Sequence, residues 1–386
     1  MPGDLHTHSS CSDGSTLIEK LPWLAACAGL DWLAISDHDT NRSVRYAYAH
    51  PEQNGVKLIP AVELTAYDYG REHRVHILCY YPDDCEALAR HTAVMDKRRY
   101  DAVYQSCKEL EEICPQFKTE EALEFAKASG TLYKAHVMRV LWQYGLSDGM
   151  YNTVYRSLFG LRPVRGKILH TPVYETVDTI LNLIQECRGV AVLAHPSVYH
   201  SMPLARELIA AGRLDGVEID HPRNTEEDKA ELEQLAAEYG LIVTGGTDYH
   251  GMNTNTPHPV GACTTADEQI ARIRALAEAR KKVKPPTAKS KTEQENKKEQ
   301  TIMTYERRNK GTCSVMTKVE LNPDHTIESV EVLGGCNGNL KGICQLLKGM
   351  KAEDAIERMK GTLCGSKPTS CPDQIAITLE EALQKL

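Results

Sequence analysis

Short apolar runs that end in a histidine or an acid recur from Asp4 to His250, with amphipathic stretches between them. The first run leads into Asp4-Leu5-His6-Thr7-His8. A helix is predicted from Thr16 to Leu30, with Leu17, Leu21, Leu24, Ala25 and Ala28 on one side and Gly29 near its end. Strands follow over Trp32–Ile35, running into Asp37-His38-Asp39; over Lys57–Val62, running into Glu63; and over Val75–Cys79, with His76 inside it. After a gap the pattern resumes with Val190–Ala194 into His195, Gly216–Asp220 into His221, and Leu241–Gly246 into Asp248 and His250. Strands alternating with helices predict a parallel α/β architecture. In parallel barrels, residues at the C-terminal ends of several strands converge on one site, so ligand-type side chains far apart in sequence are expected to meet.

The gap, about residues 84–186, is mostly helical and rich in Arg, Lys, Glu and Tyr. It reads as an insertion forming a cap. Within it His136 and Arg139 are three apart and share a helix face, either as a surface pair or as substrate contacts. A helix from Thr265 to Lys282 closes a first domain, residues 1–284. Residues 285–304 begin with Pro285-Pro286 and are polar and charged, which predicts a flexible linker. Residues 305–386 read as a small α+β unit: paired strands over Cys313–Glu320 and Thr326–Val332, then helices over Leu340–Met350, Ala352–Met359 and Ile375–Leu386.

A formal net charge of −8 over 386 residues argues against broad attraction to nucleic acid or anionic membranes, while leaving room for a nucleotide at a local site. No apolar run approaches the ~18–20 residues that span a bilayer, and Met1-Pro2-Gly3-Asp4 has no basic or apolar leader character, so a soluble cytoplasmic protein is expected. Thirteen cysteines, an odd number with five after residue 310, suggest reduced thiols or metal ligands rather than a disulfide framework.

Residues two apart on a strand leave from one face, so His6 and His8 can point at one object, of which a metal ion is the most apt. Mixed imidazoles and carboxylates suit manganese, iron or zinc and are unlike a thiolate-bound structural zinc site. The motifs Asp4-Leu5-His6-Thr7-His8, Asp13-Gly14, Ile35-Ser36-Asp37-His38-Asp39-Thr40, Leu193-Ala194-His195-Pro196 and Gly246-Thr247-Asp248-Tyr249-His250-Gly251 together resemble the PHP (polymerase and histidinol phosphatase) family of metal-dependent phosphoesterases, over residues 4–262. That resemblance implies a distorted seven-stranded (β/α) barrel holding up to three divalent ions. His6, His8, Glu63 and Asp248 would hold one; Glu63, His76 and His195 a second, with Glu63 bridging; Asp13, His38 and His250 a third. Asp37 and Asp39 would orient His38. A bridging hydroxide would attack phosphorus, with Glu63, His195 and Asp248 central to catalysis.

Arg223, His221 and His200, after the fifth and sixth strands, are candidate substrate contacts, Arg because its planar fork pairs with phosphate oxygens. His73, His91, His170 and His258 are expected at the surface. The insertion and the motifs look most like the branch acting on nucleoside 3′,5′-bisphosphates and short 5′-phosphorylated RNA, although Asn224 and Lys134-Ala135-His136 depart from that branch. Histidinol-phosphate phosphatase is the alternative substrate reading. A metal-bound regulatory or binding protein without turnover is the alternative of another class.

Residues 305–386 resemble the TSCPD domain found in some ribonucleotide reductases, through Gly334-Gly335-Cys336-Asn337-Gly338-Asn339-Leu340, Lys360-Gly361-Thr362-Leu363-Cys364-Gly365 and Thr369-Ser370-Cys371-Pro372-Asp373. Cys313, Cys336, Cys364 and Cys371 match that family's cysteines and either form a structural zinc site or stay as free thiols. Cys344 reads as a buried apolar residue.

Overall fold

The computed structural model describes residues 2–161, 163–282, 303–365 and 367–385. The chain divides into two compact units, Met1–Val283 and Lys284–Leu386.

Seven strands build the first unit: β1 (Gly3–Thr7), β2 (Trp32–Ile35), β3 (Val56–Asp68), β4 (His73–Tyr80), β5 (Val190–Leu193), β6 (Gly216–Asp220) and β7 (Ile242–Gly245). They lie side by side in sequence order. Beyond them β1 and β7 are stitched by main-chain bonds from Asp248 N to His6 O and from His8 N to Tyr249 O, both 2.8 Å, so the barrel is nearly closed. Two-residue strands, Glu52–Gln53 and Glu175–Thr176, flank β3.

The expected all-parallel order is broken at β4, which runs antiparallel to both β3 and β5. Only four residues, 69–72, connect β3 to β4, too few for the helical crossover that a parallel neighbour needs. Because β4 runs the other way, its functional residue, His76, sits mid-strand opposite Thr65 rather than at a C-terminal end.

Where the sequence predicts one helix over 16–30, the chain forms a single 3₁₀ turn, Ile18–Lys20, and then α1 (Leu21–Cys27). Pro22, in the first turn of α1, explains the restart, since proline is accommodated only there. Helices α2 (Arg42–Ala49), α3 (Glu86–Ile113), α4 (Thr119–Phe125), α5 (Lys134–Gln143), α6 (Thr153–Phe159), α7 (Val177–Glu186), α8 (Met202–Ala210), α9 (Glu226–Tyr239) and α10 (Asp267–Lys282) follow. Ile270 and Ile273 of α10 join Leu5, Ala34, Ile59 and Val192 in one apolar cluster, and Ile270 approaches Gly3 at the start of β1. One end of the barrel is therefore sealed by α10.

The helical span 84–186 is divided between two cores. Val103, Cys107 and Leu110 of α3 pack with Phe117, Met138, Val140 and Phe159 in a separate cap core. Val177, Ile180, Leu181 and Ile184 of α7, and Leu88 near the start of α3, pack instead among the barrel strands. At ~1.5 Å rise per residue the 28-residue α3 is long enough to belong to both.

The second unit is a three-stranded antiparallel sheet, β8 (Met303–Arg308), β9 (Ser314–Leu321) and β10 (Ile327–Gly334), with α11 (Asn337–Leu347), α12 (Ala352–Met359) and α13 (Cys371–Leu383). Val319, Leu321, Ile327, Leu347, Ile375 and Leu379 form its core. β8 is an element the sequence reading lacks, because alternating charged residues, Glu306 and Arg308, hide an edge strand that is only half-buried. The linker expected over 285–304 lies, through residue 302, outside the described residues.

Candidate metal centre

Glu63 is fully buried in the middle of β3 and is the centre of the site. Its Oε2 lies 3.4 Å from His6 Nε2, 3.3 Å from His8 Nε2 and 2.9 Å from His38 Nδ1. Its Oε1 lies 2.8 Å from His76 Nδ1 and 3.0 Å from His195 Nε2. Asp248 forms a second focus: Oδ1 is 3.6 Å from His6 Nε2, 3.3 Å from His8 Nε2 and 3.5 Å from His250 Nδ1. Asp13 is the third, 3.3 Å from His250 Nε2 and 3.9 Å from His38 Nε2.

These side chains form overlapping groups with metal-ligand spacing: His8, Asp13, His38 and His250; His6, His8 and Asp248; His6, Glu63 and His195; His38, Glu63 and His76; and His6, Glu218 and His221. All nine ligand positions read from the sequence are brought together. Glu218 was not singled out in the sequence, although a carboxylate inside the apolar run Gly216-Val217-Glu218-Ile219 is itself a signal, since acids are rarely buried without a partner.

The local backbone is shaped for this convergence. A Cβ at Gly246 would lie 2.3 Å from His6 Cβ, so only glycine lets the end of β7 approach the ligand strand. His195 and Asp248 have φ of 26° and 53°, a region costly for non-glycine residues and typical of functional sites. Asp37 and Asp39 do not bond His38. Asp37 accepts from Ser9 N, Ser9 Oγ and Ser12 Oγ and so holds the loop that delivers Asp13. Asp39 accepts from Thr65 N and pairs with Arg99 of α3.

The donor set fits divalent cations. Burial opposes charge on Glu63 and Asp248, yet the surrounding histidines hold both carboxyls well below the usual range. Burial likewise disfavours protonated His8, but the carboxylates of Asp248 and Glu63, each 3.3 Å from Nε2, push it up to about 10. His76 goes the other way, pushed by burial down to about 3. His6 Nε2, both ring nitrogens of His8, His195 Nδ1, His221 Nε2 and Glu63 Oε2 are buried with no well-directed hydrogen bond. Leaving so many buried polar atoms unpaired would cost about 1–3 kcal/mol each, and cations bound among those facing the centre would offset that cost.

The centre lies along a cavity of about 720 Å³ whose lining includes Asp13, His38, His76, His195, Asp248 and His250. Of the proposed substrate contacts, Arg223 lines it and donates from Nη2 to Asp248 Oδ2 at 2.6 Å. His221 also lines it, buried, with Nδ1 accepting from Arg223 N and Nε2 3.4 Å from Asp248 Oδ2. His136, Arg139 and His200 are not among the lining residues. His136 Nδ1 instead accepts from Tyr133 N at the start of α5, Arg139 reaches Asn253 and the Phe125 ring, and His200 is exposed. Their neighbours take the places expected of them: Tyr133, Lys134 and Tyr199 face the cavity. Asn224 is buried and structural, donating to the carbonyls of Glu218 and Ile219. His91, expected at the surface, is nearly buried beside Asp39.

Arg74, Arg99 and Lys134 complete the cationic lining, with Tyr151, Tyr155 and Tyr174. Arg74 is two residues from His76 on β4 and so shares its face, which was legible in the sequence. Arg99 comes from the cap helix α3, and no local pattern marks it.

The four candidate cysteines of the second unit, Cys313, Cys336, Cys364 and Cys371, are not gathered to ligand distance. Among the described residues every metal-type cluster lies in the barrel, and Cys313 Sγ instead takes a hydrogen bond from Lys367 Nζ at 2.9 Å. No described helix is long and apolar enough to cross a membrane.

A barrel of this order with histidines and carboxylates gathered at its open end defines a metal-dependent phosphoesterase, and the chain belongs to the PHP family. The PHP domain model matches residues 4–186, and the TSCPD domain model matches residues 286–383. The chain is 36% identical over 257 residues to a phosphoribosyl 1,2-cyclic phosphate 1,2-diphosphodiesterase of Eggerthella lenta, covering 66% of this chain and 96% of that protein. It is 28% identical to the 5′-3′ exoribonuclease Rnm of Escherichia coli, covering 64% and 84%, and 27% identical to a 3′,5′-nucleoside bisphosphate phosphatase of Chromobacterium violaceum, covering 64% and 86%. Among solved structures, an amidohydrolase from Chromobacterium violaceum with bound sulfate superposes with a TM-score of 0.61 at 25% identity, covering 71% of this chain and 96% of that one.

Proposed function

We propose that this phosphoesterase hydrolyses a small nucleotide-like phosphate ester that carries a second anionic group, a nucleoside 3′,5′-bisphosphate or the 5′ end of a short RNA. The observation that carries the reading is the pairing, in one cavity, of the ligand clusters with two cations, Arg74 and Lys134, that have no ion-pair partner among the described residues. The relatives named above act on a phosphoribosyl cyclic phosphate, RNA and a nucleoside bisphosphate, each with more than one phosphate group or linkage.

His6, His8, Glu63 and Asp248, then Glu63, His76 and His195, then Asp13, His38 and His250 would hold three divalent ions, manganese, iron or zinc. When bound, such ions lower the pKa of a water from 15.7 toward about 7 and offset charge on the phosphoryl oxygens. Arg223, tethered to Asp248, presents guanidinium N–H donors to the phosphoryl group beside the centre. Arg74 and Lys134 receive the second anion. Tyr133, Tyr151, Tyr155, Tyr174 and Tyr199 offer flat walls for a sugar or base and limit water around the ester.

The test is turnover by purified protein reconstituted with manganese on a nucleoside 3′,5′-bisphosphate, a 5′-phosphorylated short RNA, a phosphoribosyl 1,2-cyclic phosphate, a nucleoside monophosphate and histidinol phosphate. Preference for the bisphosphate or RNA supports the reading, and Asp248→Asn should then abolish turnover with the fold intact. Equal or better turnover of the monophosphate or histidinol phosphate removes the second anion. No turnover by metal-loaded protein turns the reading toward a binding protein.

A further inference from the structure

Glu218, in the middle of β6, is fully buried and touches no solvent. Its two oxygens serve two different ligand histidines. Oε1 is 2.9 Å from His6 Nδ1, and Oε2 accepts from the main-chain N–H of His195 at 2.9 Å. An ionised carboxylate can only accept, so His6 must donate from Nδ1, and Nε2 is the nitrogen whose lone pair a metal ion would take. That nitrogen is the one facing Glu63 and Asp248, and it is buried without a hydrogen bond of its own. The second contact acts on the backbone. His195 has φ of 26°, an unfavourable conformation for a non-glycine residue, and a charge-assisted bond to its N–H helps to keep it there, with Nε2 aimed at Glu63 Oε1.

We infer that Glu218 is a positioning residue that presets both His6 and His195 as metal ligands, fixing the tautomer of the first and the strained backbone of the second. The inference rests on the reading of the barrel end as a metal centre, and it does not depend on which ester is hydrolysed. Glu218 itself stays a hydrogen-bond acceptor, because both oxygens are already used. It ties together clusters built around Asp248 and Glu63, so its loss acts on more than one ion.

Glu218→Gln is the discriminating change, since the amide keeps the size but replaces one acceptor with a donor. Whichever way the amide turns, its NH₂ faces either His6 Nδ1, favouring the wrong tautomer, or the His195 N–H, which already donates. Metal content and manganese or zinc affinity should be measured on the full chain, with circular dichroism as the fold control. The expected result is a loss of bound metal and an affinity about 10–100-fold weaker, the range found when outer partners of ligand histidines are changed. Unchanged stoichiometry and affinity in a folded variant would overturn the inference. A second measurement needs no variant: in the zinc-loaded wild type, nitrogen-15 NMR of His6 should show a protonated Nδ1 and a metal-bound Nε2. Coordination through Nδ1, with the proton on Nε2, overturns the assignment even if Glu218→Gln fails to fold. A wild type that binds metal but turns over no ester would sink the phosphoesterase reading and leave this one standing.

Discussion

Tyr133, immediately before α5, donates its phenol hydroxyl to the main-chain carbonyl of His38 at 2.9 Å. The cap thereby holds the loop that carries His38, a candidate ligand, and Arg99, over the Tyr133 ring at 4.6 Å and paired with Asp39, fastens the same loop a second time. The cap is thus a wall of the cavity and also part of the support for the candidate metal centre.

Tyr133→Phe should test that coupling. Deleting one partner of a buried hydrogen bond costs about 1–3 kcal/mol, so a drop of several degrees in melting temperature is expected. Metal bound through His38 should weaken with it, which metal titration would register. A variant as stable as wild type, with full metal affinity, would show that the cap does not support this loop.

Arg74 and Arg223 should separate by substrate. Hydrogen bonds to charged groups contribute about 1.5–3 kcal/mol, or ~10–100-fold in kcat/KM. Arg74→Ala is expected to lose that factor on a bisphosphate and little on a monophosphate, whereas Arg223→Ala should lose it on both. Equal losses for the two variants on every substrate would remove the division of labour.

Lys134 gives a pH signature. Burial, reinforced by Arg74, Arg99 and Arg165, pushes its ammonium down to about 7 from 10.5. Between about pH 7 and 10.5 the unfolded chain holds a proton that the folded chain has lost, so this residue makes stability rise with pH across that window and adds no pH dependence below it. Lys134→Met should flatten the rise in denaturation curves. The same variant should raise KM for anionic substrates more at pH 6, where the lysine is charged, than at pH 8.5.

Metal removal should destabilise the first unit. Ions that bind only the folded protein stabilise it by about 2.7 kcal/mol at 100 times the dissociation constant. Chelation should lower the melting temperature and manganese or zinc should restore it. Glu63→Asn should abolish that response, because Glu63 stands within 3.4 Å of five histidines.

In the second unit, Cys313 is hydrogen-bonded to Lys367 and no thiol tetrad is gathered among the described residues. Cys313→Ser should therefore leave the zinc content of the full chain unchanged, as measured by elemental analysis. A stoichiometric loss would restore the structural zinc reading.

The candidate ligands were legible where a residue interrupts or ends an apolar run, because a polar group there must find a partner. His6, His8, Glu63 and His76 are of this kind, and strand parity would have added Arg74 from His76. The cap contacts were not legible in the same way. His136 and Arg139 share a helix face, but which face meets the cavity is set by the packing of α5, and Tyr133 and Lys134 hold that position.

By itself the sequence determined the alternating elements, the family motifs and the donor types, because hydrophobic periodicity and residue chemistry are local properties. Tertiary structure alone decided that β4 runs antiparallel, that Glu63 rather than Asp248 is the hub of five imidazoles, and that Arg99 belongs to the site. Those outcomes depend on distances between strands and helices far apart in the chain. Such distances are fixed by barrel closure and by the packing of two separate cores, and no short window of residues contains them.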